Sequence, residues 1–269
     1  MKTSFFEKSF MKTKIKKDGV TLFPEAGLGY LLGPILALVS NGVVNVWLIQ
    51  YWDKVLMLGQ WAPLFETLLP ILSAIVIIIG NLFVGKLMER KPTLAGKARP
   101  LILIGMPIIA VALLALFLVP LPEGATWFVG IKQFNGTTSN LIASIVIAVA
   151  YNLYYALAWP LYYTSHSALV NLSTRDEKKR GLLSTCIMAA QLGAAGLSGM
   201  AGGLLVDLIG LLPTYKYTAL EGGKIVEKVT TDLSVATQVT EANPLGAYVM
   251  GITPDQANSK WVILMIIMV

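Results

Sequence analysis

Five stretches of this chain are each long and apolar enough to cross a lipid bilayer, and that pattern limits the fold more than any other feature. A helix needs about 20 mostly apolar residues to span the hydrocarbon layer. Such runs occupy residues 27–52, 64–88, 100–120, 141–163 and 183–212. A sixth begins at Trp261 and reaches Val269. As a helix that last piece rises only about 14 Å, so the chain is expected to stop inside a span and to lack a carboxy-terminal half.

Composition separates lipid-facing helices from the buried helices of a large soluble protein. The chain is 55% hydrophobic and 13% charged, against about 25% charged in soluble domains. A protein this apolar has too little polar surface to cover itself with water. The basic residues also alternate by side. Lys2, Lys8, Lys12, Lys14, Lys16 and Lys17 precede the first run. Lys86, Arg90, Lys91, Lys97 and Arg99 follow the second, and Arg175, Lys178, Lys179 and Arg180 follow the fourth. The opposite side holds Lys54, Lys132, Lys216, Lys224, Lys228 and Lys260. The positive-inside rule then places residues 1–26 in the cytoplasm as a basic tail. It places residues 213–260 outside, as a polar loop, and 261–269 as the start of a cut sixth span. The formal charge of +6 belongs to this topology and not to nucleic-acid binding. Within the loop, turn signals fall at Gly222-Gly223 and Asn243-Pro244. The Val- and Thr-rich run 224–239 is open to two readings, a small hairpin or a disordered loop.

No catalytic or metal site is legible. The one cysteine, Cys186, and the one histidine, His166, stand apart, and no cluster of His, Cys and carboxylate has ligand spacing. No cofactor and no enzyme chemistry are expected.

Polar residues inside the spans are mostly neutral. Asn41 and Asn45 lie four apart on one face of the first span. Asn152, Tyr155, Trp159 and Tyr162 form a stripe on the fourth, and Gln191 sits in the fifth. Amides donate and accept hydrogen bonds, and aromatic faces pack on the apolar face of a sugar ring. These residues are the candidate substrate contacts; the alternative is hydrogen bonding between helices alone. The fifth span carries Gly193, Gly196, Gly199, Gly202 and Gly203, which are expected to let helix backbones touch. Pro107 and Pro160 mark expected bends.

The loop from Gly85 to Pro100 follows a glycine with Glu89, Arg90, Lys97 and Arg99. With Arg180, these charges make a candidate cytoplasmic gate closed by ion pairs, or else serve only to set topology. Gly85, Leu87, Glu89 and Arg90 resemble the loop signature of the major facilitator superfamily. Gly96-Lys97-Ala98-Arg99-Pro100, with Gly105 beyond, resembles the glycoside-pentoside-hexuronide (melibiose-carrier-like) symporter family. So do Tyr155 to Tyr162 and the run Thr174-Arg175-Asp176 to Arg180.

The resemblance implies an all-α membrane protein, a major facilitator-type helical bundle, of which this chain supplies spans one to five plus the start of six. It implies a secondary transporter of sugars or glycosides working by alternating access, with coupling to Na+ or H+ and facilitated diffusion both open. Its partners would be a small-molecule substrate, the lipid bilayer of a bacterial inner membrane and the missing half. The family's cation-binding pair on the second span falls at Ile77 and Asn81, neither of them a carboxylate. Its sugar-binding aspartate falls near Ala37, a further carboxylate at Ala158, and an arginine near Met188. These departures speak against sodium coupling through this half. A carrier of a non-sugar solute such as a lysolipid or drug, and a non-transporting receptor or assembly protein, are the alternative readings.

Overall fold

The computed structural model describes residues 5–12, 22–56, 64–117 and 141–268. Lys2, Lys14, Lys16, Lys17, Pro120, Lys132 and Val269 lie outside the described residues.

Five helices have membrane-crossing length and hydropathy. They are α1 (Pro24–Val55), α2 (Glu66–Met88), α3 (Ala98–Phe117) and α4 (Ile145–Ser173), followed by α5 (Glu177–Ile209). Their large apolar side chains are not all inside. On α2, Ile71, Ile75, Ile78, Ile79 and Leu82 are each at least 60% exposed. In water such a surface would aggregate; here it faces hydrocarbon. Two hydrogen bonds fix the directions of the helices, with α1 running opposite to α4 and parallel to α5. Tyr30 near the start of α1 bonds to Ser173 at the end of α4. Lys54 at the other end of α1 donates to Thr231, beyond α5 (3.5 Å). The bundle therefore has one end rich in basic loops and another that carries the polar segment.

Helix ends follow local chemistry. Asp176 caps α5 by accepting from the backbone of Lys178 at 2.9 Å and Lys179 at 3.5 Å, as N-cap carboxylates do. The helix thus begins well before the apolar run at Leu183. Gly210, with φ +70°, ends it in the left-handed conformation.

The segment after α5 is a folded three-stranded antiparallel sheet. The strands β1 (Thr214–Glu221) and β2 (Lys224–Thr230) form a hairpin. The turn between them is Gly222-Gly223, with φ of +58° and +78°. Two successive residues at positive φ make the tight turn that suits strand twist, and glycine takes it without strain. The third strand, β3 (Tyr248–Ile252), pairs with β1 on its other side. The hairpin partner of residues 224–230 therefore lies upstream, because Gly-Gly fixes the reversal. A short helix, α6 (Leu233–Ala236), follows β2. Ion pairs Lys216–Glu227 (3.6 Å) and Lys228–Glu221 (3.3 Å) cross the hairpin.

The last helix, α7 (Pro254–Met268), starts seven residues before the apolar run at Trp261. Thr253 and Gln256 cap it reciprocally at 3.1 and 3.3 Å, so its polar first turns are helical though hydropathy does not mark them.

The largest core cluster sits towards the sheet end, where α1, α3, α4 and α7 meet. Phe117 and Trp261 stack there at 5.3 Å and 16°. Trp261 Nε1 donates to the Leu211 carbonyl at 2.7 Å, and Tyr51 Oη donates to Phe117 O at 3.1 Å and Asn258 Oδ1 at 2.6 Å. The polar tips of Tyr51 and Trp261 thus have partners, as a buried tyrosine or tryptophan usually does.

Helices approach closely at glycines of α1, α2 and α3, and not at the described glycines of α5. A Cβ on Gly42 would lie 2.1 Å from Ser198 Oγ, one on Gly80 1.7 Å from Ala156 O, and one on Gly105 3.1 Å from Leu161 Cβ. Gly193, Gly196, Gly199 and Gly203 meet nothing within 4 Å. The side of α5 packed inward is instead the stripe Ala190, Ala194 and Ser198, each at most 1% exposed. The glycines fall on the opposite side of the same helix.

Candidate functional site

The central part of α4 is not a regular α-helix. Residues Leu153–Ala158 wind in wider turns with five-residue hydrogen-bond steps, a form that often accompanies functional sites. Pro160 gives the local cause. It has no N–H to donate to the carbonyl of Ala156, four residues back, and its ring crowds that carbonyl. The same oxygen meets the Cα side of Gly80 on α2.

The wide turn changes which residues share a side of α4, and an aromatic ladder results. Tyr151 lies 4.6 Å from Tyr155, ring to ring, and Tyr154 lies 6.1 Å from Trp159. Trp159 stacks on Tyr163 at 5.8 Å and 16°, and Tyr162 on His166 at 5.8 Å and 18°. The amides of neighbouring helices attach to this ladder. Tyr154 Oη donates to Asn41 Oδ1 at 3.0 Å, and Tyr155 Oη to Asn45 Oδ1. Gln191 Nε2 donates to Tyr163 Oη at 2.6 Å. The structure thus brings Asn41, Asn45, Tyr155, Trp159 and Gln191 into one hydrogen-bonded and stacked array across α1, α4 and α5. Asn45 is exposed, and Tyr155, Trp159 and Gln191 are half-buried. Among the described residues, the NH2 group of Asn45 has no protein acceptor.

Two members of the predicted stripe lie differently. Tyr162 is only 6% exposed and packs in the core. Asn152 Nδ2 donates to Ala148 O of its own helix at 2.9 Å, and its Oδ1 is buried without a partner. Tyr154 and Tyr163 take part where sequence spacing did not pick them. Pro160 was the readable signal of irregularity, but the one-residue shift in phase that follows from a wide turn was not.

Asn81 donates to the carbonyl of Ile77 at 2.9 Å within α2. The position of the expected cation pair therefore holds one amide folded back on its own backbone. No group of three or more His, Cys, Asp or Glu side chains suited to a metal occurs among the described residues.

At the basic end, the charges read as a gate are apart. Among the described residues, no ion pair joins Glu89 to Arg90, Lys97, Arg99 or Arg180. Arg180 lies 4.0 Å from Glu177, on its own helix. Gly85 meets nothing within 4 Å. Gly96 takes φ +90° and, through paired backbone bonds with Thr93 of 3.3 and 2.9 Å, closes a tight turn. Its place in the motif thus has a conformational reason.

Comparison with known proteins decides the family. Residues 29–269 match the sequence model of the MFS/sugar transport protein family. The chain belongs to that family. No curated protein and no solved structure shows significant similarity to it. Membership and five lipid-exposed helices make this chain an integral membrane protein of a transporter family, and the helical bundle is the all-α arrangement of the major facilitator superfamily.

Proposed function

We propose that this member of the MFS/sugar transport family carries a neutral polyhydroxylated solute, a sugar or glycoside, across the array of Asn41, Asn45, Tyr155, Trp159 and Gln191. The observation that carries the reading is the exposed amide of Asn45, held by Tyr155 beside a ladder of stacked rings. Its NH2 group is left to donate to a solute hydroxyl, and the phenol that fixes its carbonyl sets its orientation. An indole such as Trp159 offers a flat apolar face to the C–H side of a pyranose ring. Both interactions are neutral, so binding requires no compensating charge on the solute.

The array is open on one side, and in this reading a second bundle covers it, the two rocking about the solute in alternating access. The basic end faces the cytoplasm and the sheet end the outside, following the distribution of Lys and Arg. Glu89, Arg90, Lys97, Arg99 and Arg180 act as a gate only in a conformation where a facing bundle supplies the missing contacts. Ile77 and Asn81 provide one amide oxygen between them, whereas hard cations take six or more oxygen ligands in their protein sites. Sodium coupling through α2 is therefore not part of the reading.

The test is uptake of a panel of radiolabelled glycosides by cells expressing the protein, with and without imposed sodium or proton gradients. Saturable uptake of one glycoside is expected. Asn45→Ala and Trp159→Ala should each lower kcat/KM by about tenfold, the loss of one hydrogen bond or stacking contact. Absence of uptake for every sugar, with saturable uptake of a lysolipid or drug, would assign the array to that other solute class. Indifference to both gradients would identify a facilitator.

A further inference from the structure

A recess lies at the basic end, where His166, the last ring of the aromatic ladder, forms part of the lining. It encloses about 970 Å3 between the start of α1, the loop that precedes α3, and the end of α4. Its lining is mixed in a specific way. Lys97 and Arg99 stand on the loop side, both exposed. Ile102, Leu103, Leu169 and Leu172 make apolar walls. Tyr30, Ser173 and His166 close the far side. There Tyr30 bonds to Ser173, and His166 lies 5.5 Å from the Tyr30 ring and 3.4 Å from the Gly29 carbonyl.

Three features point to the ligand. First, Lys97 and Arg99 make no ion pair among the described residues, and Lys12 adds a third cation against the single carboxylate of Glu25. The recess is electropositive. Second, the backbone that presents the cations has a fixed shape, through the Thr93–Gly96 turn before Lys97 and the first turn of α3 at Arg99. Third, the apolar wall continues into lipid-facing surface: Leu103 lines the recess and is 49% exposed, and its neighbour Ile104 is 43% exposed. A small soluble anion would meet the cations and leave these walls unused. An amphiphile with an anionic head satisfies both.

We propose that this recess binds the phosphate headgroup of an anionic phospholipid from the adjoining leaflet, with Lys97 and Arg99 on the phosphate and the first acyl carbons along Ile102, Leu103 and Leu169. The proposal rests on the basic end lying at the cytoplasmic leaflet, where anionic lipids concentrate, and is independent of which solute the protein carries. The guanidinium of Arg99 suits a phosphate by its planar pair of donors, and Lys97 adds a point charge. The Gly-Lys-x-Arg-Pro element would thereby anchor the loop to the membrane.

The experiment is native mass spectrometry of the purified protein released from nanodiscs of equal parts phosphatidylglycerol and phosphatidylcholine. One or more retained phosphatidylglycerol molecules are expected, in clear preference to phosphatidylcholine. Lys97→Ala with Arg99→Ala should weaken retention about thirtyfold, near fivefold per cation. Ile102→Trp, which fills the apolar wall and leaves both cations, should also expel the lipid. Lys86→Ala with Lys91→Ala, cations of the same region outside the recess, should leave it bound. Equal loss in that control pair would mean a diffuse surface field and overturn the site. Retention that survives Ile102→Trp, with displacement by millimolar glycerol phosphate, would mean a soluble phosphate ligand and overturn the lipid reading. Circular dichroism of each variant separates loss of lipid from loss of fold.

Discussion

Single residues of this chain are decided by oxygen atoms as much as by apolar volume. Gly80 packs against the Ala156 carbonyl that Pro160 leaves without its usual donor. A methyl group placed 1.7 Å from that oxygen forces α2 and α4 apart. Gly80→Ala should destabilise the protein by about 1–3 kcal/mol, the usual range for overpacking, seen as a lower Tm in detergent. Gly196→Ala, at a position with open space, should be neutral or slightly stabilising, since it also removes a helix-interior glycine. Equal effects would show that the close approach is not what holds the two helices. Spacing read from sequence located the amides of α1 and the aromatic stripe of α4, and it named Pro160 as a bend. It could not reveal that Gly80 touches Ala156, because that contact joins residues 76 positions apart and leaves no periodic trace. Nor did small-residue content show which side of α5 packs: glycines and alanines alternate round that helix, and only the position of α1 chooses between them.

Elements show where hydropathy informs and where it stops. Among the described residues, each of the five apolar runs is helical over most of its length, because a chain in hydrocarbon must satisfy its own backbone. Their ends were less legible, since α5 and α7 begin in polar turns held by Asp176 and by Thr253 with Gln256. The sheet was the least legible element. Its strands are short and partly charged, and their pairing depends on a two-glycine turn and on Thr214 meeting Ile252. At this scale α6 offers a pH test. Ser234 donates to the Asp232 carboxylate through its backbone N–H at 2.9 Å and its hydroxyl at 2.7 Å, which hold the carboxyl below its ordinary pKa. A depressed folded pKa contributes stability that is complete above the unfolded value, about 3.9, and that is lost as pH falls through the folded value. Because Asp232 is almost fully exposed, the effect is local and small. Asp232→Asn should speed amide exchange at residues 235–237 by a few-fold at pH 7, after correction for intrinsic rates. Wild type and variant should converge as pH falls through the depressed pKa of Asp232; a constant gap would show that charge is not involved. In the core at the sheet end, Trp261→Phe should cost about 1–2 kcal/mol by stranding the buried Leu211 carbonyl, measured by the same thermal unfolding.

For the whole molecule, the antiparallel order of helices and the uneven charge of the two ends make one testable picture of orientation. In a Cys186→Ser background, Glu227→Cys on β2 should react with an impermeant maleimide added to intact cells, and Leu94→Cys only after the cells are opened. The reverse pattern would invert the topology and move the phospholipid site to the other leaflet. One feature of the sheet end also bears on how the chain is made. The hydroxyl of Tyr51 bonds to Asn258, 207 positions later in the chain, and Trp261 completes the stack on Phe117. A ribosome adds about 5–20 residues per second, so α1 enters the bilayer roughly 10–40 seconds before its polar tip meets that partner. During this interval the Phe117 carbonyl of α3 is the acceptor open to its hydroxyl. The arrival of α7 adds Asn258 and the Trp261 ring, and the sheet must already have folded for α7 to be in place. Closure of this end therefore waits on α7, and it reports that the five spans before it have gone in.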